Sequence, residues 1–321
     1  MRMARKIRTR PADTLNKART LGRAMAVETL ARRATRRRKR RAVRSVQARG
    51  RARALAVGAP AIPPETARAL ALPPATGLLV AEGDSWFDYP FHDVLTMLED
   101  EHGFDVESVA HKGDTVEDMA YSGGQFDDFA RLLEKLLRQG RVPDAILLSG
   151  GGNDIAGNEF AVLINHAASG LPPLNDDVVR GVVDVRMRNA YAFLISGVTE
   201  IATRLLHRPI PVILHGYDYP VPDGRGVLGG FAFLPGPWLE PGFHRKGHPD
   251  VNANRVVVRN LIDVFNNMLR QLASMKGFEH VRYVNLRGTL NSASYKQDWA
   301  NELHPTERGF KAVAARIAAA I

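Results

Sequence analysis

Leu78-Leu79-Val80-Ala81-Glu82-Gly83-Asp84-Ser85-Trp86-Phe87 is the stretch from which the rest of the chain can be read. Its apolar run is long enough for a buried strand and too short for a buried helix, and it ends in a glycine, an acid and a serine. A helix-like segment follows. Ser85 is therefore expected where the carboxyl end of a strand turns into a helix, the rim on which open α/β sheets carry their chemistry.

Outward from this stretch, apolar runs alternate with helical patterns. Strands are expected at 78–82, 106–110, 145–149, 211–215 and 281–286, and helices at 94–101, 126–138, 188–206, 255–274 and 306–320. Such alternation indicates βαβ units, hence a central parallel sheet of about five strands covered by helices on both faces. Right-handed crossovers bring every strand's carboxyl end to one rim. Two stretches break the rhythm, 158–184 and 217–250, and loops of that length usually serve as lids or binding loops.

Charge divides the chain. Residues 1–55 hold 20 of the 44 Lys and Arg with only two acids, Asp13 and Glu28, so that segment carries +18 and the remainder −8. The run 32–41 is too densely like-charged to enter a core. Residues 1–57 are thus expected to form a basic tail, disordered or helical only on contact, with a weak apolar stripe at Leu15, Leu21, Met25 and Leu30. Nucleic acid or an anionic membrane surface fits such a tail, and a solvated tail without a partner is the plain alternative. The proline-rich segment 58–76 reads as a linker into a domain at 77–321. No run reaches the length of a membrane span and the Arg-rich start lacks a signal peptide's apolar core, which makes a cytoplasmic location the default. The chain has no cysteine, which excludes disulfides, cysteine nucleophiles and thiolate metal sites.

Four segments near the rim carry useful groups in order: Gly83-Asp84-Ser85, His111-Lys112-Gly113-Asp114-Thr115, Gly150-Gly151-Gly152-Asn153-Asp154, and Asn301-Glu302-Leu303-His304-Pro305 before the last helix. Together they suit acyl transfer. A serine hydroxyl needs a base, and His304 is one of suitable pKa on the same rim. Attack on an ester carbonyl creates an oxyanion, for which the backbone N–H of Ser85, the backbone N–H of Gly113 and the side-chain amide of Asn153 are candidate donors. Asp84, Asp114 and Asp154 are read as structural, bonding loop amides.

This combination resembles the SGNH (GDSL) hydrolase family over about residues 76–321, with Ser85, Gly113, Asn153 and His304 at the four named positions. The resemblance implies a flavodoxin-like three-layer α/β/α fold and a serine esterase or lipase that needs neither metal nor cofactor, acting on a small-molecule or lipid ester. One departure stands out. The family usually places an aspartate three residues before the histidine to orient the imidazole, and here that residue is Asn301. The favoured orienter is Asn301 or a backbone carbonyl, with Asp298 as runner-up and Glu302 also in range. Loss of the acid leaves a second reading open: a weak or inactive hydrolase domain whose basic tail is a binding arm for nucleic acid or an anionic surface.

Smaller signals remain. His244, His248 and Asp250 have metal-ligand types, but the surrounding Pro and Gly argue against the helix that their spacing needs. His215 and Tyr217 end the fourth strand, either lining a pocket or closing a strand end with a satisfied histidine. Phe231, Phe233, Trp238, Leu239 and Phe243 make the 217–250 loop apolar. It is either cover for the sheet or one wall of an acyl pocket, and a wall of that kind would favour a medium or long acyl chain over acetate.

Overall fold

The computed structural model describes residues 11–52, 75–90, 92–227, 235–291 and 293–321. Within them the five expected strands form one parallel sheet: β1 (Leu78–Glu82), β2 (Asp105–Ser108), β3 (Ala145–Leu148), β4 (Val212–His215) and β5 (Val281–Val284), ordered β2-β1-β3-β4-β5. The runs Ala145-Ile146-Leu147-Leu148 and Val212-Ile213-Leu214-His215 are buried throughout, as strands covered on both faces must be. The edge strands β2 and β5 are only partly buried and carry Asp105, Glu107 and Arg282. Charges on an edge discourage pairing with another chain.

The chain steps one way from β1 to β2 and the other way from β2 to β3, so the order reverses between β1 and β3. At that reversal a crevice opens beyond the strand ends. Registry puts Glu82 beside Leu148, the last residues of the two strands, so the segments that follow them emerge side by side. Ser85 follows one and Asn153 the other.

The helices are α1 (Pro11–Ala52), α2 (Val94–His102), α3 (Val116–Tyr121), α4 (Gln125–Arg138), α5 (Gly152–Ile155), α6 (Arg188–Leu206), α7 (Glu240–Arg245), α8 (Val251–Ala273) and α9 (Glu307–Ala318), besides short turns at Phe160–Leu163 and Asp176–Val179. Right-handed crossovers place α2 and α9 against each other on one face and α4, α6 and α8 on the other. In α4, Phe126, Phe129, Ala130, Leu133, Leu136 and Leu137 fall at helical spacing and are all buried. The result is the flavodoxin-like three-layer α/β/α architecture expected from the sequence. Residues 58–74 of the expected linker lie outside the described residues.

Residues 11–52 of the basic segment are helical as α1, and the first half of that helix lies on α6 as an extra layer. Of the expected stripe, Leu15, Met25 and Leu30 are partly buried against the core and Leu21 is 49 % exposed, while Ala18 and Ala26 are buried and flank Gly22. A Cβ on Gly22 would fall 2.2 Å from the carbonyl oxygen of Phe193, so the backbones approach too closely for any other residue. Polar pairs continue the seam. Thr29 Oγ donates to Asp127 at 2.5 Å, Arg32 pairs with Asp127 at 2.9 Å, and Arg33 pairs with Glu134, whose side chain is fully buried. Arg138 also pairs with that buried carboxylate at 2.7 Å, so Arg33 completes a two-arginine clasp on it.

Widening the Gly22 contact is expected to undock α1. Gly22→Val should destabilise by about 1–3 kcal/mol, lower Tm by about 5 °C and release amide protection across the first half of α1 in hydrogen exchange. Leu21→Ala, on the exposed side, should change neither.

Candidate active site

The carboxyl ends of β1, β3 and β4 are held together by one side chain. Asp84 is buried, and its carboxylate accepts the backbone N–H of Trp86 (3.1 Å), the hydroxyl of Ser149 (2.9 Å) and the hydroxyl of Tyr217 (2.6 Å). Tyr217 in turn accepts the backbone N–H of Gly152 at 3.2 Å. Other blocks are laced in similarly: Asp154 accepts the Val116 N–H at 3.0 Å, where α3 begins, and the Asn153 amide donates to the Asp114 carbonyl at 2.9 Å. The carboxylates of Asp84 and Asp154 thus bond loop amides, while that of Asp114 accepts from the Gln125 side chain. Beneath them, burial pushes the Glu82 carboxyl up to about 8, and it still accepts the Gly83 N–H at 2.9 Å.

On this frame Ser85 is half-buried and its Oγ lies 2.8 Å from His304 Nε2, although 219 positions separate them. His304 sits in a loop that folds back on itself: the Ala300 N–H donates to the His304 carbonyl at 2.9 Å, and Thr306 then caps α9 by accepting from Gly309. The indole N–H of Trp86 donates to the Leu303 carbonyl at 3.0 Å, which ties this loop to the serine turn.

Asn301 fixes the imidazole. Its Oδ1 accepts from the Leu303 N–H (3.0 Å), the His304 N–H (2.9 Å) and the ring Nδ1 of His304 (3.1 Å). Two of those donors are backbone amides, so the amide cannot be turned to put its NH₂ there. Nδ1 therefore carries the proton and Nε2 is left as acceptor for the serine hydroxyl. The Asn301 NH₂ donates to the Tyr89 hydroxyl at 3.1 Å, and the Tyr89 ring stacks on the imidazole with centroids 4.0 Å apart. Trp238 closes the other side, edge-on at 5.5 Å. With no carboxylate at hand, burial pushes the His304 pKa down to about 3.

The other two orienting candidates are engaged elsewhere. Asp298 accepts the Asn291 N–H at 2.7 Å and pairs with Arg308 at 3.2 Å. Glu302 is fully buried and takes four backbone amides, those of Gly224, Trp238, Leu239 and Glu240, at 2.6–3.1 Å. It staples the 217–250 loop to the histidine loop.

Each of the three expected oxyanion donors has a proton to spare. The backbone N–H groups of Ser85 and Gly113 have no hydrogen-bond partner among the described residues, and Asn153 has a second amide proton beyond the one given to Asp114. Gly113 has φ +93°, a conformation that suits glycine and turns its N–H out of any ladder. An apolar cavity of about 40 Å³ opens here, bounded by Ser85, Asn153, Tyr217, Leu239 and residues of α8.

Not every residue expected at the pocket is there. Tyr217 lines the cavity and Trp238 faces the imidazole, but His215 lies in the core, packed against Trp86 and Phe87 with Nδ1 2.9 Å from the Gly216 carbonyl. A strand that is buried on both faces keeps its last side chain inside. Phe231 and Phe233 lie outside the described residues. His248 Nε2 is bonded to the Asn165 carbonyl at 2.9 Å and Asp250 caps α8, and no group of three or more potential ligands is gathered for a metal among the described residues. Tyr89 gave no signal in the sequence: its stacking on an imidazole 215 positions away is set by tertiary structure alone.

No helix among the described residues is long and apolar enough to cross a membrane. Comparison with curated proteins gives no match. Solved structures similar to this chain include a lipase from a goat rumen metagenome (15% identity, TM-score 0.48, covering 76% of this chain and 97% of that one). Another is an α/β hydrolase from the metagenome of Lake Arreo, Spain (18%, 0.39, 77% and 95%). A third is a catalytic mutant of an acetylxylan esterase from Geobacillus stearothermophilus (16%, 0.37, 75% and 92%). The family profile described as GDSL-like Lipase/Acylhydrolase matches residues 83–317, well over half of the sequence, and with the parallel sheet and the four blocks in order, the chain belongs to that family of ester-hydrolysing enzymes.

Proposed function

We propose that the protein is a serine-dependent carboxylic ester hydrolase in which Ser85 is the nucleophile and His304 the base. The observation that carries this is the 2.8 Å contact between Ser85 Oγ and a His304 Nε2 that is left proton-free by the bond from Nδ1 to Asn301. Ser85 loses its proton to His304 as Oγ attacks the ester carbonyl. The oxyanion is met by the N–H groups of Ser85 and Gly113 and the Asn153 amide, which are in place before charge develops. Collapse expels the alcohol, protonated by His304, and leaves an acyl-Ser85. Water, deprotonated by His304, then cleaves that ester.

Asn301 supplies orientation and tautomer but no negative charge. An asparagine in place of a triad aspartate is damaging where it favours the wrong tautomer. Here two backbone amides lock its oxygen toward Nδ1, so the remaining deficit is the missing stabilisation of the imidazolium. This supports a working hydrolase over an inactive domain. The ordering of α1 against α4 and α6 likewise favours a structural role for its first half over that of a free binding arm.

Three outcomes test the reading. In a p-nitrophenyl ester panel, Ser85→Ala should lose at least about 10⁴-fold in kcat; equal rates for the two proteins would end the proposal. Asn301→Ala should cost about 10²-fold or more in kcat, whereas Asp298→Ala should lower Tm and leave kcat within about threefold. The base must be neutral to act, and its pKa is held below the ordinary histidine value of about 6.5. The acid limb of kcat/KM should therefore lie below pH 6. Asn301→Asp should raise the pKa of the imidazole by placing a carboxylate beside it, moving that limb to higher pH while raising kcat at pH 8.

A further inference from the structure

We infer that the enzyme is selective for short, unsubstituted acyl groups, acetyl to butanoyl, and that Leu239 is the residue that sets this limit. The inference rests on the proposed role of Ser85 and names the substrate class of that site.

The cavity beside Ser85 measures about 40 Å³. One water-sized group needs roughly 10–15 Å³ of such space, so this is room for a small acyl group and not for an extended chain. Its far wall is made by Val258, Leu261 and Ile262 of α8, all at most 4 % exposed and part of the main core. Its side is Tyr217, whose hydroxyl is tied to Asp84 and Gly152. Walls of this kind do not part as a surface cleft does, because their backs are packed against other side chains at close density.

The lining also excludes polar acyl groups. Asp84 and Asp218 border the cavity, but Asp84 spends its carboxylate on Trp86, Ser149 and Tyr217, and Asp218 spends its own on the backbone amides of Tyr219, Gly288 and Leu290. A hydroxyl or charge on the acyl chain would lose water there and gain no partner.

Leu239 is the aliphatic wall residue that comes from the 217–250 loop, which also gives Tyr217, Asp218 and Pro220 to the lining. Its side chain is buried, and its backbone N–H is held by Glu302 at 2.7 Å, two residues from His304. By sequence, the apolar character of that loop reads either as cover for the sheet or as one wall of an acyl pocket. Trp238 faces the imidazole, and Leu239 is the apolar residue of 235–250 that lines the cavity.

The test is kcat/KM for p-nitrophenyl acetate, butanoate, hexanoate and octanoate with the full chain. Wild type should fall at least about tenfold between butanoate and hexanoate, in line with the discrimination one methylene too many can produce. Leu239→Ala should raise the hexanoate-to-acetate ratio at least about tenfold. Ile155→Ala, on the opposite wall, should raise it in the same direction and serves if the first variant does not fold. Serine-dependent rates that climb from acetate to octanoate in wild type would overturn the inference while leaving the hydrolase reading intact. A uniform loss at all chain lengths in both variants would overturn the role of the wall. Absence of any serine-dependent hydrolysis would remove the hydrolase reading, and the inference with it.

Discussion

A carboxylate taken out of water must find donors, and the way Asp84 does so organises everything around it. Its three partners belong to the turn after β1, the end of β3 and the segment after β4. None of them can move off without leaving a buried charge short of a bond, which costs more than the bond itself adds when made. The crevice at the sheet's reversal is thereby held at a fixed width. Ser85 is the next residue in the chain, so it inherits that rigidity, and a nucleophile loses effectiveness rapidly when its position is blurred.

Beside the serine, the histidine loop solves a different problem with neutral groups. A carboxylate would orient the imidazole and stabilise its charged form; Asn301 does only the first. The surroundings agree with that choice. Tyr89 stacks flat on the ring, Trp238 meets it edge-on, and no carboxylate bonds it, so the site is suited to an imidazole that stays uncharged for most of the cycle. The cost falls on the moments when it holds a proton, and the benefit is a base that acid does not easily switch off.

Much of this was legible from residues in order. The five apolar runs were found as strands with ends shifted by a few residues at most, because a parallel strand buried on both faces has a signature that tertiary context does not alter. The pairing past β2 even continues as expected, with the Val109 N–H donating to the Ala81 carbonyl at 3.1 Å. Ser85, Gly113, Asn153 and His304 were marked by four blocks in order, three following strands and one preceding the last helix, and by the family those blocks resemble. What could not be read was anything set by contact across the fold: the Tyr89 stack, the burial of His215, the place of Leu239. The docking of α1 was hidden for another reason. Its seam joins the weak stripe of Leu15, Met25 and Leu30 to the small residues Ala18, Gly22 and Ala26, in a segment whose dense charge speaks for solvent.

The four amides gathered by Glu302 have a bearing on how such a protein changes over generations. The staple fixes the backbone of the loop that carries Leu239 to the backbone that carries His304. Insertions or deletions there would shift both at once, so new selectivity in this lineage should arise by exchange of single side chains on an unchanged loop, and rarely by altering its length.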